Sequence, residues 1–278
     1  MLRVAVAQMQ SSRDIDHNIR KSQELHAEAE KGSADMIAYP EYQLYLADYS
    51  KRDEALLAGK KIRKILPDFI RSLRIPALIN YPEIYGDRIY NTSAFVNNGK
   101  IQWKYRKIHL FNAFSRREED VFAAGRMIQQ GGMLNDIMFS TLTCYDLRFP
   151  ELSRIFAISG GELLFYQAGW FSGENKADQW LTLLKATAIH NGLYVAGAAQ
   201  TGSMFTGNSV VFDPDGRMIA HEKDAEGVIL ADVSSDTVKR YRIDTLEFAL
   251  PVLLFNCQVP NYRCTVLLRP EAEIFPHQ

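Results

Sequence analysis

The stretch FSTLTCYDLRFPE, residues 139–151, decides the fold class. Its first half is apolar and rich in β-branched residues and reads as a strand over Met138–Thr143 that stops at Cys144. Pro150 is suited to a first helical turn, and the helix it opens, Glu151–Ser159, is stopped by Gly160-Gly161. Strand, tight turn and helix make one βα unit, and the pattern repeats outward. Downstream come a strand at Leu163–Gln167, a helix at Lys176–Asn191 closed by Gly192, and a strand at Leu193–Ala199. Upstream, Leu2–Gln8 reads as a strand, and Asp14 or Asp16 caps a helix to about Lys31. Asp35–Tyr39 is then a buried strand, Asp53–Leu73 a helix and Pro76–Glu83 a strand.

Two hairpins interrupt this alternation. Tyr90–Val96 and Lys100–Tyr105 flank Asn98-Gly99, and Asn208–Phe212 and Arg217–His221 flank Asp213-Pro214-Asp215-Gly216. A strand at Val228–Val233 and a short helix from Asp236 follow. Alternating strands and helices predict an α/β layered fold, and the hairpins require mixed rather than purely parallel sheets. No linker or repeat divides the 278 residues, so one domain over 1–278 is expected.

Lys and Arg total 32 against 33 Asp and Glu, so no basic footprint for nucleic acid or an anionic membrane exists. The longest apolar run, Phe248–Phe255, is broken by Pro251 and is far too short to span a bilayer. The N-terminus lacks the pattern of a secretory signal. Three cysteines (Cys144, Cys257, Cys264) without a CxxC pair fit a reducing, cytoplasmic setting, and the six histidines form no zinc-binding spacing.

Three residues could carry chemistry. Cys144 stands on a strand-to-helix turn, where a nucleophile is exposed beside free backbone N–H groups; a lone cysteine there is equally a small buried hydrophobe. Glu41, after the apolar strand, is either a base in an apolar site or an exposed loop residue. Strand alternation places Lys107 on the face of Trp103 and Tyr105, with Lys104 and Arg106 opposite; alone it reads as a snorkelling lysine.

Together, an acid, a lysine and a cysteine at the ends of separate strands resemble the carbon–nitrogen hydrolases, the nitrilase superfamily. The matching pieces are RVAVAQM at the N-terminus, YPE at 39–41, YRKIHLF at 105–111, CYDLRFPE at 144–151 and GNSVVFDPDG at 207–216. The resemblance implies a four-layer αββα sandwich with two mixed sheets. It implies Glu41 as general base, Lys107 as transition-state stabiliser and Cys144 as nucleophile. A second glutamate, Glu118, is marked by Gly125 seven residues on. Lys107 and the Tyr145 N–H would hold an oxyanion, and no metal or organic cofactor is implied.

CYDLRFPE is similar to the Nit-like, ω-amidase branch, which favours a small-molecule amide as substrate over a nitrile. N-carbamoyl or nitrile hydrolysis, and a binding protein that kept the fold, are the alternatives. The acyl pocket is expected on the loops after Glu41, Phe111 and Gln167, with Phe111, Tyr145 and Arg148 as substrate contacts. Arg148 is otherwise an ion-pair partner of Glu151, and His109 a hydrogen-bonded support. Trp180, Leu184 and Ile189 share a helix face expected in the core or a dimer contact. The resemblance also implies a homodimer or higher homo-oligomer, with the tail 248–278 packing on a neighbouring subunit. Thr187, His190, Asn112 and the Ser115-Arg116-Arg117 stretch depart from the family pattern.

Overall fold

The computed structural model describes residues 1–113, 115–127 and 131–245. The first half of the chain runs β1 (Leu2–Gln8), α1 (Ile15–Lys31), β2 (Met36–Ala38), α2 (Arg52–Ser72), β3 (Ala77–Tyr85), β4 (Arg88–Asn97) and β5 (Lys100–Arg106). Two short strands, β6 (Asn112–Ala113) and β7 (Arg116–Arg117), and an edge strand, β8 (Gly132–Leu134), connect the halves. The second half runs β9 (Ile137–Thr143), α3 (Pro150–Ile158), β10 (Leu163–Ala168), α4 (Lys176–Asn191), β11 (Tyr194–Ala199), β12 (Ser209–Phe212) and β13 (Met218–Glu222). It closes with β14 (Gly227–Val233) and α5 (Ser235–Thr245).

The strands form two mixed sheets, ordered β14-β1-β2-β3-β4-β5 and β13-β12-β11-β10-β9-β8. β1, β2 and β3 are parallel to one another, as are β9, β10 and β11, and the hairpin strands add antiparallel flanks. Each half thus repeats the order strand-helix-strand-helix-strand-hairpin. Parallel strands need helical crossovers, so helices cover one face of each sheet while the other faces pack together. Leu25, Ile62 and Phe69 of α1 and α2 bury against Ile37 and Ile79. Val4, Val6, Leu78 and Phe95 meet Phe139 and Phe165 between the sheets. Phe156, Trp180 and Leu184 of α3 and α4 cover Leu164 and Val195. These are the layers of an αββα sandwich.

Local signals explain most boundaries. Asp14 caps α1, its Oδ1 accepting from the N–H groups of Asp16 and His17. α4 ends at Gly192, whose φ of 55° is the left-handed conformation glycine adopts most readily. Trp180 and Leu184 are fully buried, and Ile189 is half-buried. The expected strand at Asp35–Tyr39 shortens to Met36–Ala38, although the Tyr39 N–H still donates to Leu78 O at 3.0 Å. The 112–117 hairpin and β8 were not foreseen: strands of two or three residues are too short to show periodicity. The tail 248–278, with Cys257 and Cys264, lies outside the described residues.

Candidate active site

Four sequence-predicted residues converge at the carboxyl ends of strands, where open α/β sheets place their ligands. Glu41 follows β2, Lys107 directly follows β5, and Cys144 directly follows β9. Glu118 sits in a single 3-10 turn after β7. Glu41, Lys107 and Glu118 are essentially inaccessible to solvent, and Cys144 is buried. The exposed-loop reading of Glu41 and the snorkelling reading of Lys107 therefore do not hold.

Lys107 ties the cluster together. Its Nζ donates to Glu41 Oε1 at 2.9 Å and to Glu118 Oε2 at 2.7 Å. Asn91 Nδ2 donates to Glu41 Oε1 at 2.8 Å and Glu118 Oε1 at 3.1 Å. The Gly169 N–H, at the end of β10, donates to Glu41 Oε2 at 2.8 Å, and the Phe111 N–H to Glu118 Oε2 at 2.7 Å. Buried carboxylates need such donors, because an uncompensated buried charge is strongly unfavourable. The Cys144 thiol lies close enough to Glu41 and Lys107 to feel both charges.

The electrostatics follow from this packing. Burial pushes the Cys144 thiol well above its usual range, and the Glu41 charge adds to that, against the opposing pull of Lys107. The resting thiol is therefore protonated. Burial by itself would lower the Lys107 pKa, but Glu118 and Glu41 outweigh it and hold the ammonium charged. Burial raises the Glu118 pKa although Lys107 opposes the shift.

Backbone geometry sets the thiol. Cys144 has a φ of 48°, a left-handed conformation costly for a residue with a side chain. It opens a 3-10 turn over Cys144–Arg148, with Thr143 and Asp146 forming a capping box. The fully buried Asp146 carboxylate accepts from the Thr143 N–H at 3.0 Å and the Tyr105 hydroxyl at 2.7 Å. It also meets the His109 N–H at 3.0 Å and Nδ1 at 2.9 Å. One side chain thus pins the cysteine turn to the segment carrying Lys107, and His109 is the support that its position suggested. Gly125 is confined by backbone: its N–H donates to Lys107 O at 2.8 Å, and a Cβ there would stand 2.1 Å from Arg106 O.

A cleft opens on the thiol. Phe111, Tyr145 and Arg148, the expected substrate contacts, all line it. The Tyr145 ring meets Phe111 edge-on with centroids 5.2 Å apart. Its N–H lies in the first turn of the 3-10 helix, where no intrahelical acceptor is available. The expected Arg148–Glu151 ion pair is not formed. Phe149 interrupts the helix between the two residues, and Arg148 instead donates from Nη2 to Gln179 at 2.7 Å and stacks over Trp170. Tyr42, Tyr49, Trp170, Phe171 and Lys176 complete the wall and were not singled out from sequence. Tyr42, Tyr49, Trp170 and Phe171 lie on the loops after Glu41 and Gln167, where the acyl pocket was expected, and Lys176 opens α4. No residue-level signal marks them, because loop side chains are placed by tertiary contacts such as the Tyr42–Tyr49 hydroxyl hydrogen bond. Asn91, also missed, is an ordinary polar residue in strand alternation.

A model of the carbon–nitrogen hydrolase family matches residues 3–243, and the chain belongs to that family. It is 30% identical over 261 residues to a deaminated glutathione amidase of Escherichia coli O157:H7, covering 90% of this chain and 99% of that one. It is 30% identical over 223 residues to a 2-oxoglutaramate amidase of Bacillus subtilis strain 168, covering 78% and 84%. Among solved structures, the C. elegans NitFhit protein superposes with a TM-score of 0.81 at 25% identity over 90% of this chain. The chain spans just under two thirds, 65%, of that longer protein. An amidase from Nesterenkonia sp. shares the fold with a TM-score of 0.76 at 23% identity, over 90% of this chain and 96% of that one. These relatives place the chain with the amidase-type enzymes of the Nit-like, ω-amidase-like branch. No helix among the described residues is long and apolar enough to cross a membrane.

Proposed function

We propose that the protein hydrolyses a small-molecule amide to a carboxylic acid and ammonia or an amine through a thioester on Cys144. The carrying observation is the buried Glu41–Lys107–Glu118 cluster, with Lys107 Nζ shared at 2.9 and 2.7 Å, set beside the thiol. Glu41 takes the thiol proton as the sulfur attacks the amide carbonyl. The C–S bond forms, the C=O electrons move to oxygen, and the oxyanion is held by Lys107 and the Tyr145 N–H. Two of the three Lys107 N–H groups are engaged by carboxylates, which leaves one for the oxyanion. Glu41 then gives its proton to the nitrogen, the C–N bond breaks and the amine leaves. In the second half Glu41 takes a proton from water, hydroxide adds to the thioester, and the C–S bond breaks. The acid is released and the sulfur regains a proton from Glu41. Glu118, fixed by the Phe111 N–H, orients Lys107 throughout.

Substrate preference follows from the cleft lining. Its walls are aromatic, and its charged members besides Lys107 are the cations Arg148 and Lys176, with no carboxylate among the residues that face it. That lining suits an acyl group ending in a carboxylate, in keeping with the activities named for the amidase relatives. We propose that the chain works in the cytoplasm as a homodimer or higher oligomer, which gel filtration tests.

The function test is ammonia release from ω-amides of dicarboxylic acids, short aliphatic amides, N-carbamoyl amino acids and nitriles. Amides should turn over, Cys144→Ala should be inactive, and acid quenching should trap an acyl mass on the Cys144 peptide. Undiminished activity in Cys144→Ala, or turnover confined to nitriles or carbamoyl compounds, would overturn the reading.

A further inference from the structure

The catalytic cleft encloses only about 20 Å³ of free space, room for about one water molecule. Outside it lies a vestibule of about 410 Å³ that shares Phe111, Phe171 and Lys176 with the cleft and adds Arg116, Ser172 and Met204. The cleft is thus the narrow end of the site, and whatever part of a larger substrate extends beyond the reacting carbonyl must lie in the vestibule. Arg116 is set apart from its neighbours. Arg117 pairs with Glu119 and Asp120, and Arg13, which shares an adjoining pocket with Arg116, pairs with Asp48 and Glu54. Arg116 has no carboxylate within ion-pair distance among the described residues, and its guanidinium stacks 4.1 Å over the Phe171 ring. Phe171 in turn packs on Phe111 and Phe205 at 5.6 and 5.3 Å, so the guanidinium rests on a fixed aromatic platform. From the inside outward, Arg148, Lys176 and Arg116 form a track of positive charge, and burial, with Arg148 adding to it, lowers the Lys176 pKa. The family-divergent Ser115-Arg116-Arg117 stretch supplies the outermost cation.

We propose that Arg116 on its Phe171 platform forms an outer anion subsite, which takes a carboxylate on the part of the substrate that stays outside the catalytic cleft. This assignment rests on the amide-hydrolase reading of the same site. The carboxylate can come from the far end of the acyl group or from the departing amine, and a guanidinium fork binds either in the same way.

Binding and turnover are measured on the full chain with two matched pairs: glutaramate with pentanamide, and N-butanoylglycine with its methylamide. Binding is read by calorimetry on Cys144→Ala, which needs no turnover, and kcat/KM on the intact enzyme. In at least one pair the charged compound should be preferred about tenfold or more, and Arg116→Gln should collapse that preference. Arg116→Lys should restore part of it. The pair that loses its preference identifies the end of the substrate in the vestibule. The ratio within a pair is insensitive to a general loss of folded protein. A preference absent from both pairs, or untouched by Arg116→Gln in both, overturns the subsite. Charge-dependent binding without any turnover by the intact enzyme would count against the hydrolase reading alone.

Discussion

Replacing Lys107 by methionine keeps the stem of the side chain and deletes one charge from a sealed cluster. Glu41 and Glu118 would then face each other with solvent excluded from both side chains, joined only by Asn91 Nδ2 at 2.8 and 3.1 Å. Breaking a buried ion pair by removing one partner costs about 3–5 kcal/mol. At a urea slope near the upper end of about 1–3 kcal/mol per molar, the unfolding midpoint falls by more than about 1 M. The loss has a pH signature. With the ammonium gone, one carboxyl keeps its proton in the folded state well above the pH at which an unfolded glutamate ionises. The folded chain then binds more protons than the unfolded one, so stability declines as pH rises, by up to about 1.4 kcal/mol per pH unit. The gap to wild type should therefore be wider at pH 8 than at pH 5. Adding Glu118→Gln to Lys107→Met removes the surplus charge and should recover part of the midpoint and most of the pH slope. Urea unfolding followed by fluorescence at several pH values reads all three proteins. A Lys107→Met midpoint equal to wild type at pH 8, or a gap that narrows with pH, would refute the charge accounting.

Three further outcomes are expected. Because burial and Glu41 hold the Cys144 thiol protonated, iodoacetamide labelling of the Cys144 peptide, read by mass spectrometry, should still be climbing above pH 9; a plateau near neutral pH would contradict it. His26 Nε2 accepts from the Arg74 and Ile75 N–H groups at 2.9 and 3.3 Å, and burial, with Arg74 adding and Glu30 opposing, lowers its pKa. Its contribution is complete above the ordinary histidine range and is lost as pH falls through the depressed folded value, so His26→Gln should flatten the loss of stability on acidification, and an unchanged slope would sink this. Arg242 donates to Gly192 O at 2.9 Å and also reaches Gly161 O, tying α5 to the chain just beyond the carboxyl ends of α3 and α4. Arg242→Ala should cost about 1.5–3 kcal/mol in urea unfolding, with Arg242→Lys recovering part; an unshifted midpoint would remove the clamp.

The parts of the fold legible in the sequence are those set by local chemistry. Asp14 and Gly192 mark helix ends by side-chain capping and left-handed backbone, and Asn98-Gly99 marks a hairpin by its turn. The strand-end positions were readable because Glu41 and Cys144 each follow an apolar run and Lys107 follows a strand with alternating aromatic residues. What escaped was set by distant partners. Asn91 gains its place through the register of β4 beside β3 and β5. Tyr49, Trp170 and Phe171 lie on loops and Lys176 at the start of α4, and no period links them to the thiol. The Arg148–Glu151 pairing failed because spacing alone assumed a continuous helix where Phe149 breaks it.

The site is also one that neither half of the chain could build alone. Glu41 and Lys107 come from the first strand-helix repeat, yet Glu41 is gripped by the second. Gly169 holds its carboxylate, and Gln200 Nε2 donates to its backbone carbonyl at 2.7 Å. Conversely, Asp146 of the second repeat anchors Tyr105 and His109 on either side of Lys107. The reacting groups are therefore fixed by strand ends and cross-sheet hydrogen bonds, which leave little room for adjustment. Tyr49 and Phe171 on loops, Arg116 on the short β7 and Lys176 at the start of α4 all lie outside the two large sheets. Substitutions among these residues should change which amide is accepted while leaving the Glu41–Lys107–Cys144 geometry in place, and Asn112 and Ser115-Arg116-Arg117, expected from sequence to depart from the family pattern, fall in that freer region outside the two large sheets.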